Sequence, residues 1–528
     1  MIIPADALAD LRAALSAERV ADDPHILDSY AAQPFHKVEP GVWVHRPIAV
    51  AMPENTEEVI ELVKICNKYK LRYKAISTGW GAQGGAGFDN VVQVDLRHMD
   101  RILEIDVENR TIVVEPYVTC AQIQAELMPL GLNLHIHGAG SNCSPLASAT
   151  SHMGMGFSSI SMGYAPRNIM GVEWVLPTGD LLQVGSIGSG AGWISPDGPG
   201  PSLRGILRGW AGADGGFGIF TKCALKLYPW AGPSEVNVTG TGMDHLDVEI
   251  PENNSFHLCV FKDMESYGRA LYDLAHAEIG YIQAKVAPGL ALAISQFDRF
   301  KLTRDNENLR KMVGGFSHQF FICLQGNSTE HFDYQVHVLE SIVEKNGGSM
   351  LDISQVMGTP PGAMWWMLVR NSLAPAMFRP TGNFYSTLGG DESIASALRQ
   401  DIEGEKLKEG FIAEGACEDD FGDNAHTLLY ENGLFAHTEE LLLFDHRNRE
   451  QGEKLKDLSD TVMREIPEKL LGGGGFSFFA GGYAHDYLGP QMDNYHLWQR
   501  RIKTAFDPDD LSDSKYFINS EGAELAEH

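Results

Sequence analysis

Gly79-Trp80-Gly81-Ala82-Gln83-Gly84 is the stretch that most restricts this chain. It reads GxGxxG, the pattern of a dinucleotide turn in which a helix directly after the glycines holds a pyrophosphate on its N-terminal amides. Here Gly85-Ala86-Gly87-Phe88-Asp89-Asn90 follows, and then Val91-Val92-Gln93-Val94-Asp95-Leu96 reads as a strand. No helix is present to receive the phosphates, so the nicotinamide Rossmann turn is set aside. The glycines keep another use, because successive Gly-rich amides turn inward as an anion nest without a helix. On this segment alone a plain glycine turn stays open beside that reading.

At ~100–200 residues per domain, 528 residues make about three domains or two large ones. Hydrophobic residues at 44% and charged residues at 21% are ordinary globular usage. Apolar runs such as Trp365-Trp366-Met367-Leu368-Val369 fall far short of the ~18 residues a membrane span needs. Met1-Ile2-Ile3-Pro4-Ala5-Asp6 has no basic or apolar leader region, so no signal peptide is read and a cytoplasmic location is expected. Acids outnumber bases 70 to 41, a formal charge of −29, which argues against nucleic-acid and anionic-membrane partners. The 7 cysteines (Cys66, Cys120, Cys143, Cys223, Cys259, Cys323, Cys417) are scattered with no CxxC pair, so neither a zinc ribbon nor an iron–sulfur cluster is encoded. Reduced core thiols are expected.

From Arg46 to about Trp230 strand and helix signals alternate. Ile48–Met52 reads as a strand, and Pro53-Glu54-Asn55-Thr56 opens a helix with Asn55 or Thr56 as N-cap and Glu57 and Glu58 in its first turn. Val59, Leu62, Val63 and Cys66 follow on one face, which makes Cys66 a core residue. Residues 72–76, 91–96 and 111–116 read as further strands, and 121–130 as a helix closed by Gly131. After Pro229-Trp230-Ala231-Gly232-Pro233 longer amphipathic helices appear, such as 334–344 and 453–465, mixed with strands such as 320–324. The tail reads as a helix over 495–505 and then a loop.

Three stretches carry a family resemblance. The first is Ala75-Ile76-Ser77-Thr78 with the glycine loop, then Val94-Asp95-Leu96 and Met99 to Asp106. The second is Gly154-Met155-Gly156, Gly163-Tyr164, Asn168 to Leu176 and Thr178-Gly179-Asp180. The third is Gly215-Gly216-Phe217-Gly218-Ile219-Phe220-Thr221-Lys222 running into Leu225 to Pro229, with Arg501 to Pro508 resembling a closing helix. Together they resemble the FAD-binding flavoproteins of the vanillyl-alcohol oxidase/p-cresol methylhydroxylase (PCMH) type, which include glycolate oxidase D subunits and D-lactate dehydrogenases. The resemblance implies an α+β chain: a PCMH-type FAD-binding domain over 1–232, a second α+β cap (substrate) domain over 233–484, and residues 485–528 docking back on the first. It implies FAD as cofactor, wrapped by Ser77, Thr78, Gly79, Trp80, Gly81, Ala82, Gln83, Gly84 and Gly85. Further cofactor contacts are expected from Gly140, Ser141, Ser144, Ser151, Gly154, Gly156, Gly218 and Ile219. On this loop assignment Gly84→Val is expected to lose FAD, because a Cβ would crowd the phosphate path.

The implied activity is an FAD-dependent dehydrogenase or oxidase that moves a hydride from a CH–OH or related group of a small organic substrate to flavin N5. Its electron acceptor would be oxygen or a redox partner protein, and a homo-oligomer is expected. Oxidation of para-substituted phenols, or service as the flavoprotein subunit of an electron-transfer complex, are the alternatives. The sequence fits no branch cleanly. A flavin-linking His is absent from the first loop, where Trp80 and Gln83 stand, and Cys143 reads as a structural thiol, so a dissociable flavin is expected. The hydroxy-acid branch's Gly-Glu-His-Gly motif is replaced by Gly472 to Phe479. His437 and Glu439 share a strand face but read as a salt-bridged or solvated pair, and the acidic run Glu414, Glu418, Asp419, Asp420, Asp423 as a solvated loop, so no metal is expected. The catalytic candidates are His152 as base, Arg370 and Arg379 as carboxylate clamps, and His437 as a polar contact, with Tyr385 and Tyr483 as weaker ones. Trp365, Trp366, Phe378 and Phe384 either wall a ring or belong to the core.

Overall fold

Val59, Leu62, Val63 and Cys66 lie fully buried on one face of the helix Thr56–Tyr69, and this face fixes the first layer of the fold. Asn55 caps the helix by accepting the Glu58 N–H at 2.9 Å, and Lys70 ends it in the left-handed region at φ 54°. The computed structural model describes residues 1–31, 45–79, 84–151, 154–185, 192–193, 203–207, 212–240, 246–285, 314–357, 359–372, 384–419, 425–445, 448, 450–455, 465, 468–469, 489–514 and 518.

The helix packs on a four-stranded sheet. Its central strand Val91–Asp95 is buried along its whole length, with Ala49–Ala51 and Arg72–Ile76 parallel on either side and the short strand Val20–Ala21 at one edge. The other edge is closed by the tail. Ser512 bridges Tyr73, whose N–H donates to the Leu511 carbonyl at 2.9 Å and whose carbonyl accepts from Asp513 N–H at 3.0 Å.

Beyond residue 100 the alternation read from the sequence gives way to a five-stranded antiparallel sheet in the order Ile102–Asp106, Thr111–Val114, Ile219–Lys226, Ile169–Val175 and Leu181–Val184. The helix expected at 121–130 is an α-helix over Cys120–Leu127 and a 3₁₀ turn over Met128–Leu130, closed by Gly131 at φ 71°. Thr119 and Gln122 form a reciprocal capping box at its start. Trp174, fully buried, stacks on Phe220 at 5.0 Å and on Phe506 at 5.5 Å, so the tail helix Tyr495–Phe506 packs on this second sheet.

The remaining part is also mixed. One antiparallel sheet takes the order Ile282–Ala284, Gln319–Gln325, Asn254–Val260, Ser349–Leu351 and packs the helices Met264–Ala277 and Thr329–Lys345. A second joins Phe384–Glu392, Phe435–Leu443 and His426–Tyr430 under the helix Ile394–Glu414. A bridge between Lys285 and Thr427 links the two sheets. Of the helix expected over 453–465, residues 450–455 and 465 are described as helical, and the rest lies outside the described residues.

Candidate functional site

The four-stranded sheet, the five-stranded sheet and the tail meet at a cleft of about 920 Å³, counted to its open mouth. One wall runs from Tyr73 through Gly79 with Gly84, the opposite wall comes from Cys143 to Ser151, and Ala213, Asp214, Gly218–Phe220, Ser512 and Asp513 close the floor.

Gly79 stands where the chain leaves the strand Arg72–Ile76, at φ 74°. An L side chain there is strained, and a Cβ would sit 3.4 Å from Ile76 Cδ1. Gly84 has no such requirement: a Cβ meets Ile76 Cγ1 at 3.5 Å, an ordinary contact. Backbone strain against a side chain therefore falls on Gly79 and not on Gly84. The Gly84 carbonyl accepts from the Gln93 amide at 2.9 Å, and the same amide nitrogen donates to the Lys74 carbonyl at 2.9 Å. One central-strand side chain thus pins both ends of the glycine loop. Thr78 Oγ1 accepts the Ser144 N–H at 3.1 Å and ties the two walls together. Between the strand ending at Ile76 and the one beginning at Val91, the described residues contain no α-helix.

Sequence reasoning placed Ser77, Thr78, Gly79, Gly84, Ser144, Ser151, Gly218 and Ile219 at the cofactor, and all of them line the cleft. Trp80, Gly81, Ala82, Gln83, His152, Arg379 and Tyr483 lie outside the described residues, as do the side chains of Tyr385 and Phe384. Gly85, Gly140 and Ser141 stand behind the lining; the loop through Gly140 is closed by Cys143 N–H donating to its carbonyl at 3.1 Å. Gly154 and Gly156 are also off the lining and have a packing reason to be glycine. A Cβ would fall 2.4 Å from Pro166 Cδ at the first and 1.9 Å from the Ile136 carbonyl oxygen at the second.

Sequence reasoning missed Lys74, His137, Ser148, Asp214, Ser512 and Asp513, all on the lining. Lys74 is buried, with Nζ 3.2 Å from the Asp513 carbonyl and 3.6 Å from Asp214 Oδ1. Asp513 also accepts the Gly87 N–H at 2.6 Å, and Ser512 Oγ accepts the Gly218 N–H at 3.1 Å. Beneath them the fully buried Lys503 donates to the Gly216 carbonyl at 3.0 Å, the Ser512 carbonyl at 2.7 Å and the Asp507 carboxylate. A tail that reads as a polar loop therefore builds one side of the cleft. Cys143 lines it too, and burial pushes its thiol well above the ordinary range, which fits a structural thiol. All seven cysteines are buried, and none forms a disulfide.

Arg370 follows the buried helix Pro361–Val369, its guanidinium 5.7 Å from the Trp366 ring. Desolvation lowers its pKa, and among the described residues it makes no salt bridge or side-chain hydrogen bond. Its neighbour Asn371 connects it to the cleft wall by accepting the Ser141 N–H at 3.3 Å through its carbonyl and donating its side-chain amide to the His137 carbonyl. His437 is 1% exposed, with Nε2 3.6 Å from Glu439 Oε2. Trp365, at 1% exposure, packs between Trp230 and Trp366 and is core. Among the described residues no group of three His, Cys, Asp or Glu side chains is placed to hold a metal, and no helix is long and apolar enough to cross a membrane.

Residues 47–185 match the family described as an FAD binding domain, the stretch that supplies most of the cleft's walls. The chain is 30% identical over 223 residues to the flavoprotein subunit of 4-cresol dehydrogenase (hydroxylating) from Pseudomonas putida, covering 40% of this chain and 41% of that one. It is 25% identical over 355 residues to the probable mitochondrial D-lactate dehydrogenase of Danio rerio, covering 65% and 62%. With glycolate oxidase subunit GlcD of Bacillus subtilis the identity is 27% over 184 residues, 35% and 37% of the two chains. The chain thus spans less than two thirds of the length of these relatives. Among solved structures, p-cresol methylhydroxylase with substrate bound superposes with a TM-score of 0.78 at 20% identity over 97% of this chain and 96% of that one. The 4-ethylphenol oxidase of Gulosibacter chungangensis gives 0.75 at 18% identity over 98% and 97%. At such identities the likeness establishes the fold, which is the PCMH-type α+β architecture.

Proposed function

We propose that this chain is an FAD-dependent oxidoreductase acting on a CH–OH or related carbon of a small organic substrate. The carrying observation is the cleft itself: its glycine-lined wall belongs to the matched FAD binding domain, and between Ile76 and Val91 the described residues put no α-helix behind that wall's main-chain amides. The residues fit the cofactor. Ser77, Thr78 and Gly79 on the lining would offer backbone N–H groups to its diphosphate, Lys74 would bring a cation, and Asp214 would accept from sugar hydroxyls. The buried Cys143 thiol and the missing loop histidine favour a non-covalently held flavin.

Bound FAD supplies a two-electron acceptor, and the protein positions substrate and moves the proton. Arg370, lacking an ion-pair partner among the described residues, is suited to a substrate carboxylate or phenolate. His152 and Arg379 are candidates as substrate-orienting group and second clamp. The 4-cresol dehydrogenase relative supports phenol oxidation as the second reading, while the lactate and glycolate relatives support a hydroxy acid. Oxygen or a redox protein would take the electrons onward. Purified protein mixed anaerobically with glycolate, D-lactate or 4-methylphenol tests the proposal. Bleaching of bound flavin by one class supports it and selects between the readings, whereas a protein that neither carries nor takes up FAD overturns it.

A further inference from the structure

The cap buries two ion pairs. Lys285 and Asp401 pair at 2.5 Å, and Lys408 faces Glu440 at 3.2 Å, every partner at 1% exposure or less. Such pairs are poor sources of stability, since desolvating both charges offsets much of their attraction. The first pair has a positional consequence. Asp401 accepts from Lys285 Nζ with one carboxylate oxygen and from the Ala425 N–H, at 3.2 Å, with the other. The Lys285 backbone is held on both sides, its N–H donating to the Thr427 carbonyl at 2.8 Å and its carbonyl accepting from Thr427 N–H at 3.2 Å.

Between Ala425 and Thr427 stands His426. Its Nδ1 lies 2.8 Å from the Lys285 carbonyl. A carbonyl only accepts, so Nδ1 carries the hydrogen and Nε2 of the neutral ring keeps its lone pair. His426 as a residue is half-buried, whereas His437 is 1% exposed. It meets Phe157 edge to face at 5.6 Å, and Phe157 directly follows Gly154-Met155-Gly156. The Met155 carbonyl accepts from Gly138 N–H at 2.6 Å, beside the cleft residue His137. His426 therefore stands where the cap sheet meets the Phe157 segment of the FAD-binding part. The charged groups around it are Glu439 opposite it in register and His437 on the same strand, Lys285 on the neighbouring strand end, and Asp401 on the overlying helix. Burial holds its pKa down, to about 4, against the opposing pull of Glu439.

We propose that His426 is the proton acceptor of the reaction, with Lys285 and Asp401 as positioning residues that fix its tautomer and aim. The proposal rests on the oxidoreductase reading above. In the step, the substrate O–H bond breaks and its proton goes to Nε2 of His426. In an alcohol or hydroxy acid the O–H electron pair completes the new C=O bond as the adjacent C–H bond breaks; in a 4-alkylphenol it moves through the ring as a C–H bond of the para alkyl carbon breaks; in both, that hydrogen leaves with both electrons for the oxidised flavin, which is reduced.

Two measurements on the FAD-loaded full chain test this. Diethyl pyrocarbonate attacks unprotonated imidazole nitrogens, and peptide mass spectrometry near neutral pH should find His426 carbethoxylated. His135, whose Nε2 is engaged with Ser159 Oγ at 3.0 Å in the core, should stay unmodified as the internal control. His426→Gln should keep its FAD and slow anaerobic flavin reduction by glycolate, D-lactate or 4-methylphenol about 10²–10⁴-fold. Asp401→Asn should keep FAD, slow reduction about 10-fold, and shift the acid limb of its pH profile. An unmodified His426, or His426→Gln reduced at the wild-type rate, overturns the assignment. Wild-type protein that holds FAD but is reduced by none of the three probes overturns the oxidoreductase reading, and the carbethoxylation result then still decides whether His426 presents an open nitrogen.

Discussion

Lys503→Met should damage both the fold and the cofactor site through one missing ammonium. Lys503 is fully buried, and its three donors are all used, on the Gly216 carbonyl, the Ser512 carbonyl and the Asp507 carboxylate. Methionine fills similar space but leaves a carboxylate at 2% exposure without its cation. Breaking a buried pair from one side costs about 3–5 kcal/mol. Asp507 keeps the Leu511 N–H at 3.1 Å and the Ser512 N–H at 2.8 Å, which places the loss at the low end, about 3 kcal/mol. At ~2 °C per kcal/mol for a large domain, the Tm of the apoprotein should fall about 6 °C. Gly218 and Ser512 lie on the cleft, so FAD affinity should fall about 10-fold or more as that side loosens. Denaturant unfolding and a flavin-fluorescence titration read the two effects. Adding Asp507→Asn should recover part of the stability, because the orphaned charge is then gone. A Lys503→Met protein within about 0.5 kcal/mol of wild type, with unchanged FAD affinity, would refute the clasp.

Gly79→Val should weaken FAD binding more than Gly84→Val, since only Gly79 sits at positive φ and a forced left-handed residue costs about 1–2 kcal/mol; equal titration curves would contradict this. Arg370→Met should raise KM for an anionic substrate about 10–100-fold with little change in Tm, because the guanidinium has no ion-pair partner among the described residues; an unchanged KM removes it from the site. Burial lowers the pKa of His135 to about 3 and of His257 and His426 to about 4, below the unfolded value of 6.5, so the unfolded chain binds protons first as pH falls. Stability is then full above pH 6.5 and declines toward pH 4, by up to about 2 kcal/mol per histidine near pH 5; a flat Tm between pH 7 and about 5 would contradict it.

The parallel layer and the glycine wall were legible because they depend on local chemistry. One helix face at i, i+3, i+4 and i+7, an Asn cap, and glycines followed by a strand all read out within a few residues. What escaped depends on contacts across hundreds of positions. Asp513 reaches Gly87, Lys503 reaches Gly216, and Asn371 reaches His137, and no local period announces such pairs. The antiparallel sheet from 102 to 226 was read as alternation because the helix Cys120–Leu127 interrupts its strands in sequence while packing beside them in space. His437 drew notice through its nearness to Glu439, yet the fold seals it and leaves surface to His426, whose surroundings are set by Lys285 and Asp401. Gly154 and Gly156 also answer to packing, since a Cβ would meet the Pro166 and Tyr164 side chains at the first and the Ile136 carbonyl oxygen at the second.

Titrating the apoprotein with FAD while following quenching of flavin fluorescence tests the account at its root. Saturation at equimolar FAD, with tight binding in the wild type and clearly weaker binding in Gly79→Val, is the predicted result. Fluorescence that falls no further than in buffer, or identical curves for the two proteins, would contradict a flavin held by the amides around Gly79.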